Sequence, residues 1–162
     1  MFIAVWPPAP VAELLTALPR EEAPRLRWTT ADQWHITLRF LGDVPETDAL
    51  SAFESIRARP VDALLGPTVE RLAPEVIVAP VRGLEPLAAE VLARTADLGE
   101  APHPDGFRGH LTLARQRGGG SCSVDGRAIS GTFRVEEIVL VRSDLHDAGA
   151  RYTSVARRPL SL

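Results

Sequence analysis

The stretch HITL at residues 35–38 returns as HLTL at residues 110–113, and this repeat decides how the chain is interpreted. On a β-strand the side chains alternate between two faces, so each histidine shares a face with the threonine two positions later. The aliphatic residues of each copy lie on the opposite face and are expected to anchor the strand in a core. Because the four positions match and each half of the chain holds one copy, the repeat favours a site built from both copies.

Two imidazoles and two hydroxyls on one side of such strands suit phosphodiester chemistry. Imidazoles titrate near neutral pH, so one can accept a proton while the other donates one. Hydroxyls donate hydrogen bonds to phosphate oxygens, and an arginine adds a bidentate positive clamp. The candidate clamps are Arg39 and Arg115. Strict alternation places Arg39 on the face of His35 and turns Arg115 away, unless the second strand bulges after Leu113.

Other uses of histidine and cysteine fit the sequence less well. A catalytic zinc takes three protein ligands, and the repeat supplies two, so His103 or His146 would have to complete the set. Both are predicted to lie in surface loops, His146 within residues 143–147, and no metal site is predicted. Cys122 is interpreted as an incidental thiol. The glycines at 118–120 lack the Lys-Ser/Thr pair of a phosphate-binding loop and are interpreted as a connector.

Composition bounds the class of protein. The 162 residues are 45% hydrophobic and 24% charged, which is typical of one globular domain. The net charge of −3 argues against a general polyanion binder but leaves room for a small anionic ligand. No apolar run reaches the roughly 18 residues of a membrane span, residues 1–8 do not have the pattern of a secretion leader, and a single cysteine is present. These observations favour the cytoplasm, a monomer, no membrane association and no obligatory protein partner.

Hydrophobic periodicity predicts a mixed α and β chain. Because the strands outnumber the helices, the fold class is α+β with mostly antiparallel sheets. Pro80 is expected to make its strand an edge strand. Trp34 and Phe40 are expected in the core, while Phe107 and Tyr152 are candidates for stacking on a nucleobase. Helices are predicted over residues 10–18, from residue 45 to before Pro60, and over 84–98, and strands over 2–6, 25–28, 35–41, 68–72, 76–81, 110–114, 132–141 and 151–156.

At residues 35–42 and 110–115 the chain resembles the two-histidine (2H) phosphoesterases. Within them it is similar to the bacterial and archaeal RNA 2′,3′-cyclic phosphodiesterases, historically called 2′-5′ RNA ligases. The resemblance implies one two-lobed domain over residues 1–162, in which two small, mostly antiparallel sheets flank a central cleft with helices outside. It covers nearly the whole chain and includes Met1–Val5, Arg27-Trp28, Gly42–Val44 and Gly149–Tyr152.

The resemblance also implies an activity and roles for individual residues. It implies opening of a terminal 2′,3′-cyclic phosphate to a 2′-phosphate without metal or other cofactor, on RNA ends or small cyclic nucleotides. His35 would protonate the departing 3′ oxygen, His110 would activate water, and Thr37 and Thr112 would hold the phosphate oxygens. The family has an arginine at the place of Arg115, which overrules the preference from strict alternation.

Two departures and two alternatives accompany the resemblance. Arg108-Gly109 precedes the second motif where the family commonly has proline, and Trp34 replaces a small aliphatic residue before His35. The same cleft run in reverse would join RNA ends as a 2′-5′ ligase. A non-catalytic module that binds RNA ends is the other alternative, and the intact histidines and threonines of both motifs argue against it.

Overall fold

The computed structural model describes residues 1–146 and 149–161, and of residues 145, 146 and 149 only the backbone. None of the described helices has the length and apolarity that crossing a bilayer requires. The strands are β1 (Phe2–Val5), β2 (Leu26–Trp28), β3 (Ile36–Phe40), β4 (Val61–Leu65), β5 (Glu70–Ala73), β6 (Val76–Arg82), β7 (His110–Gln116), β8 (Gly131–Val135), β9 (Glu137–His146) and β10 (Gly149–Pro159). The helices are α1 (Ala9–Thr16), α2 (Glu46–Ser55) and α3 (Glu85–Arg94), with a 3-10 turn at Ala31–Gln33.

The strands form two antiparallel sheets. The first has the order β10-β9-β1-β3, and the second has the order β2-β7-β6-β4-β8, with β5 also paired to β6. The two motif strands therefore lie in different sheets, β3 at an edge of the first and β7 inside the second. The predicted fold class, α+β with two mostly antiparallel sheets, is confirmed.

Alternation along β1 shows how the first sheet separates its two faces. Ile3 and Val5 belong to the main core, which also includes Ile36 of the first motif. Phe2 and Ala4 point to the opposite face, where they form a second cluster with Val139 and Val141. Because this second face also carries His35, an apolar surface lies directly behind the first motif histidine.

Strand β3 contains a β-bulge at Leu38. Successive residues of β1 lie opposite Arg39 and Thr37, so Leu38 has no partner. One extra residue shifts the alternation of everything after it. As a result Arg39 is buried, and Phe40 is 50% exposed on the face of Thr37. The expectation that Phe40 lies in the core is wrong for this reason.

Strand β7 contains the same bulge at the equivalent residue, Leu113. Successive residues of β6 lie opposite Ala114 and Thr112, which leaves Leu113 without a partner. Ala114 is buried and Arg115 is exposed. The bulge therefore returns Arg115 to the face that carries Thr112.

Strand β6 is central, contrary to the expectation from Pro80. It pairs with β7 on one side and with β5 and then β4 on the other. The carbonyl of Pro80 accepts a hydrogen bond from the Gly66 N–H at 2.8 Å, on the side where β5 has ended and β4 has not begun. Since the nitrogen and oxygen of one strand residue point the same way, the missing N–H of Pro80 removes no ladder hydrogen bond.

Two other boundaries differ from the prediction. The long strand expected over residues 132–141 is divided at Glu136 into β8 and β9. Strand β9 then continues through His146, where a surface loop was expected, because it pairs with the long strand β10. Strand β4 was not predicted at all, although it pairs with both β6 and β8.

Candidate active site

Both motifs line one cleft of about 270 Å³. It holds both histidines and both threonines of the repeat, and none of its described lining residues is acidic. An anionic ligand thus meets hydroxyl, imidazole and guanidinium groups without an opposing carboxylate on the lining. The described lining consists of Arg27, Trp28, Thr29, Gln33, His35, Thr37, His110, Thr112, Arg115, Ala150 and Tyr152.

The two imidazoles are held in the same way by their own chains. Nδ1 of His35 lies 2.8 Å from the carbonyl of Gln33, and Nδ1 of His110 lies 2.7 Å from the carbonyl of Arg108. A carbonyl oxygen only accepts hydrogen bonds, so Nδ1 carries a proton in each ring. Nε2 is therefore the nitrogen of each ring that gains or loses a proton.

The threonines present their hydroxyls beside these rings. Thr37 and Thr112 are half-buried, two positions after His35 and His110 on the cleft-facing sides of β3 and β7. Within the described part of the chain, neither hydroxyl makes a hydrogen bond to another protein group. Each is therefore available to donate to a ligand oxygen.

The ring of His35 lies among aromatic side chains. Phe2 stacks on it with ring centroids 4.7 Å apart and an interplanar angle of 30°. Tyr152 meets it nearly edge-on at 4.8 Å, and Trp6 does the same at 5.7 Å. A positively charged imidazole gains attraction from the face of an aromatic ring, so the stack with Phe2 favours the protonated form of His35.

Burial and charge act on the pKa of His35 as well. Burial lowers the pKa of His35, the hydrogen bond to the carbonyl of Gln33 opposes that change, and the charge of His110 lowers the pKa further. The two imidazoles therefore interact electrostatically, and protonation of one disfavours protonation of the other.

His110 has a cationic environment instead. Burial lowers the pKa of His110, and the hydrogen bond to the carbonyl of Arg108 partly offsets this. The positive charges of Arg108 and Arg115 lower the pKa of His110 further. All of the charge effects on this ring therefore favour its neutral form, which is the form that accepts a proton.

Arg115 is placed to bind an anion. It lies on the cleft side of β7 with no hydrogen bond or ion pair to another side chain in residues 1–146 and 149–161. Its neighbour on β2 is Arg27, directly opposite in the ladder. Both arginines line the cleft. Arg115 also lies close enough to Tyr152 to oppose the rise in the phenol pKa that burial causes.

The comparison with known proteins points to one family. A family model described as LigT-like phosphoesterase matches residues 5–63, which contain the first motif. An RNA 2′,3′-cyclic phosphodiesterase of Geobacillus stearothermophilus is 31% identical over 150 residues, which is 82% of this chain and 47% of that protein. The chain thus spans about half the length of this curated relative.

The solved structures cover both motifs. The structure of TT0787 of Thermus thermophilus matches with a TM-score of 0.80 and 28% identity, over 98% of this chain and 96% of that one. Escherichia coli LigT in its apo form matches with a TM-score of 0.80 and 26% identity, over 99% of this chain and 96% of that one. The chain is therefore similar to the LigT-like phosphoesterases in sequence and, over nearly its whole length, in fold.

Arg39 does not belong to the cleft, contrary to the expectation from alternation. Its guanidinium donates to the carbonyls of Phe40 at 2.7 Å and Leu98 at 3.2 Å and also to that of Glu100. Burial lowers the pKa of Arg39, and the charge of Glu100 opposes that change. The side chain therefore connects the end of β3 to the segment after α3, and the bulge at Leu38 is the reason it points there.

The other candidates from the sequence are distributed differently. Tyr152 lines the cleft, whereas Phe107 packs against the main core and Trp34 is buried as expected. His103 lies on an exposed turn, 3.8 Å from Asp105. The side chain of His146 lies outside the described residues. In the part of the chain that the structure describes, no three His, Cys, Asp or Glu side chains are grouped as metal ligands.

Several residues of the cleft were not predicted as site residues. Arg27, Thr29 and Gln33 come from the end of β2 and from the segment that leads into β3. Arg27 is part of the family resemblance, and for Thr29 and Gln33 the sign in the sequence is their position just before the first motif, since a segment that enters a site strand also borders the site.

Proposed function

We propose that this protein hydrolyses a terminal 2′,3′-cyclic phosphate of RNA to a 2′-phosphate by acid–base catalysis, without a metal ion. The observation that carries the proposal is the pair of imidazoles in one cleft, each with Nδ1 held by a backbone carbonyl so that Nε2 does the proton transfer. The name of the Geobacillus relative, an RNA 2′,3′-cyclic phosphodiesterase, supports the same substrate class.

The reaction uses the two rings in opposite protonation states. Nε2 of His110 takes a proton from a water molecule while the water oxygen bonds to phosphorus. The bond between phosphorus and the 3′ oxygen breaks, and Nε2 of His35 gives its proton to that oxygen. The product holds a 2′-phosphate and a 3′-hydroxyl. Each ring then exchanges its proton with solvent and returns to its starting state.

The surroundings of the two rings support this assignment. Arg108 and Arg115 favour neutral His110, which is the form a base needs. The stacked ring of Phe2 favours protonated His35, which is the form an acid needs, and so acts against the burial and the charge of His110, which lower the pKa of His35. The family resemblance implies the same division of roles.

Three groups are suited to hold the phosphate during the reaction. The hydroxyls of Thr37 and Thr112 donate to its two non-bridging oxygens, and the guanidinium of Arg115 stabilises the charge that develops on them. Tyr152 borders the same cleft next to His35 and offers its ring to the sugar and base of the terminal nucleotide. These roles make the phosphate, rather than the base, the part of the substrate that the site holds most tightly.

The test uses a short RNA with a 2′,3′-cyclic phosphate, incubated in EDTA with wild-type protein, His35→Ala, His110→Ala and the control His103→Ala. His103 has a 70% exposed side chain and lies outside the cleft lining. Wild type and His103→Ala should form a 2′-phosphate, identified by mass and by its sensitivity to phosphatase. Each cleft variant should be slower by about 10²–10⁴-fold. Activity that survives both cleft substitutions, or that EDTA abolishes in wild type, would refute the proposal.

A further inference from the structure

One hydroxyl links the two motif strands. Oγ1 of Thr29 donates to the carbonyls of Thr112 at 2.7 Å and Leu113 at 2.9 Å, sharing its single proton between them. The same oxygen accepts a hydrogen bond from Nε1 of Trp34 at 3.0 Å. The backbone N–H of Thr29 also donates to the carbonyl of Leu113 at 2.9 Å.

These partners occupy critical points of both motifs. Thr112 is the second-motif threonine, and Leu113 is the bulge residue that returns Arg115 to the cleft. Trp34 directly precedes His35 and is 2% exposed, so its indole is fixed in the core. A hydrogen-bonded path therefore runs from the residue beside one histidine to the strand that carries the other.

A cation holds this linking residue from the outside. The guanidinium of Arg20 lies 5.5 Å from the ring centroid of Trp28 and 5.4 Å from that of Trp34. It also donates to the carbonyl of Thr29 at 3.0 Å. Contacts of this kind between an arginine and the faces of tryptophan rings are attractive. Thr29 is thus restrained at its hydroxyl, its N–H and its carbonyl.

We propose that Thr29, through Trp34, is a positioning residue that sets the separation of the imidazoles of His35 and His110. The inference rests on the proposed function. Strands β3 and β7 belong to different sheets and share no hydrogen-bonded ladder, so contacts outside the ladders must fix the distance between them. A misplacement of about 1 Å in such a site costs about 10²-fold in rate.

Thr29 acts through other residues even though it lines the cleft. Its one hydroxyl proton is already donated to two carbonyls, so it has none to give to a phosphate oxygen. A residue that bound substrate directly would instead keep that proton free, as Thr37 does. Loss of the Thr29 hydroxyl is therefore expected to lower kcat rather than to raise KM.

The first experiment measures kcat and KM for Thr29→Val, Thr29→Ser, Trp34→Phe and the double variant Thr29→Val/Trp34→Phe on the cyclic-phosphate RNA. Valine keeps the branched shape without the hydroxyl, and phenylalanine keeps the ring without the N–H. We expect kcat to fall about 10-fold in Thr29→Val with little change in KM, and serine to recover most of the loss. The double variant should lose less than the product of the single losses, because both remove one bridge.

A matched control separates position from general packing. Thr95 is 1% exposed, and its hydroxyl donates to the carbonyl of Val91 at 2.8 Å within α3. Thr95→Val therefore removes a buried hydroxyl that does not connect the motifs. Its kcat should stay close to that of wild type. If Thr95→Val loses as much kcat as Thr29→Val, or if KM alone rises in Thr29→Val, the positioning role is wrong.

The second experiment needs no turnover. The charge of His110 depresses the pKa of His35, so NMR titration of His35 with and without the substitution His110→Gln measures how strongly the two rings interact. Tyr152 and the cleft arginines stay the same in both titrations. The difference between the two pKa values of His35 should be smaller in the Thr29→Val background, because the two rings move apart.

The two experiments also distinguish failure of the proposal from failure of the proposed function. An unchanged difference in the NMR titrations overturns the positioning role whatever the kinetics show. If wild type turns over no cyclic phosphate but the difference shrinks, the proposed function is wrong and the positioning role is supported. If Thr29→Val does not fold, the same titrations are made with two other variants. The difference in the pKa of His35 should shrink in Trp34→Phe, which breaks the bridge, and should persist in Thr29→Ser, which keeps the hydroxyl.

Discussion

The two motif strands are alike in backbone and different in surroundings. Each holds its imidazole by a hydrogen bond from Nδ1 to the carbonyl two residues earlier, and each bulges three residues after its histidine. Yet His35 lies against Phe2 and two other aromatic rings, whereas His110 lies near two guanidiniums. The motif supplies an imidazole, and the proposed assignment of one ring as acid and the other as base draws on neighbours that the motif does not specify.

The residues that follow the bulge also differ between the two strands. It brings the fifth residue after each histidine to the exposed side of its strand, and this residue is Phe40 in the first motif and Arg115 in the second. Only the second strand thereby presents a positive charge to the cleft. The same bulge therefore exposes an aromatic side chain in one strand and a guanidinium in the other.

The largest expected effect separates the two histidines by leaving group. In a substrate whose 3′ oxygen is replaced by sulfur, the leaving thiolate is stable without a proton, so the acid is no longer needed. We expect His35→Ala to recover most of its loss of about 10²–10⁴-fold on this substrate, and His110→Ala to recover little. Rates followed by chromatography of the products test this. Equal recovery by both variants would mean that the rings do not have separate roles.

The next effect concerns the arginine that only the second motif has. Arg115→Gln should lower kcat/KM about 10²-fold, because it removes a charged donor from the phosphate. Arg115→Lys should recover only part of the lost kcat/KM, since an ammonium lacks the planar, bidentate geometry of the guanidinium. The control is Arg134→Gln, an exposed arginine paired with Asp62 at 2.9 Å outside the cleft lining. If lysine restores the full rate, the fork geometry is unimportant.

The third prediction concerns the buried arginine of the first motif. Arg39→Met should lower the free energy of unfolding by about 2–3 kcal/mol, because three partly buried carbonyls lose their donor. The kcat of the folded fraction should not change. Urea denaturation and assays at low temperature measure the two quantities. If the variant has normal stability but a low kcat, Arg39 acts in the cleft rather than in stabilising the fold.

A smaller effect tests the aromatic side of the comparison. Phe2→Leu removes the ring that stacks on His35, so the protonated form loses about 0.5–1 kcal/mol of stabilisation. The pKa of His35 should fall. Because an acid must be protonated to act, the alkaline limb of the profile of kcat/KM against pH should move to lower pH. A shift of the acidic limb alone would assign the acid to the other ring.

The smallest effect tests the cationic side. Arg108→Gln removes a positive charge that depresses the pKa of His110, while the backbone carbonyl that holds the ring remains. The pKa of His110 should therefore rise. A base must be neutral to act, so the acidic limb of the same pH profile should move to higher pH. Movement of that limb to lower pH would contradict the electrostatic assignment.

The sequence predicted the parts of the site that depend on simple alternation. His35 and Thr37 come before the bulge, as do His110 and Thr112, so a period of two places all four side chains correctly. The prediction fails at Arg39, because nothing at Leu38 in the sequence signals an extra residue. A bulge formed by a leucine leaves no glycine or proline to mark it.

The cleft residues that were missed depend on tertiary packing. Thr29 reaches the second motif only because Trp34 and Trp28 pack around Arg20 and fix the segment between β2 and β3. A pattern along the chain contains no information about a contact between residues 29 and 112. For the same reason, the sequence around Pro80 predicts an edge strand. In the fold Pro80 lies between the part of β6 that pairs with β5 and the part that pairs with β4, so a central strand tolerates its missing N–H.

The shared bulge sets a numbering rule for anyone who wishes to redesign this cleft. Counting by twos from His35 selects Arg39, a side chain that holds the scaffold together and tolerates little change. Counting with the bulge selects Phe40, which is exposed and is the counterpart of Arg115 in the first strand. A library that diversifies residue 40 therefore varies an exposed side chain on the face of Thr37, whereas one that diversifies residue 39 removes hydrogen bonds that stabilise the fold.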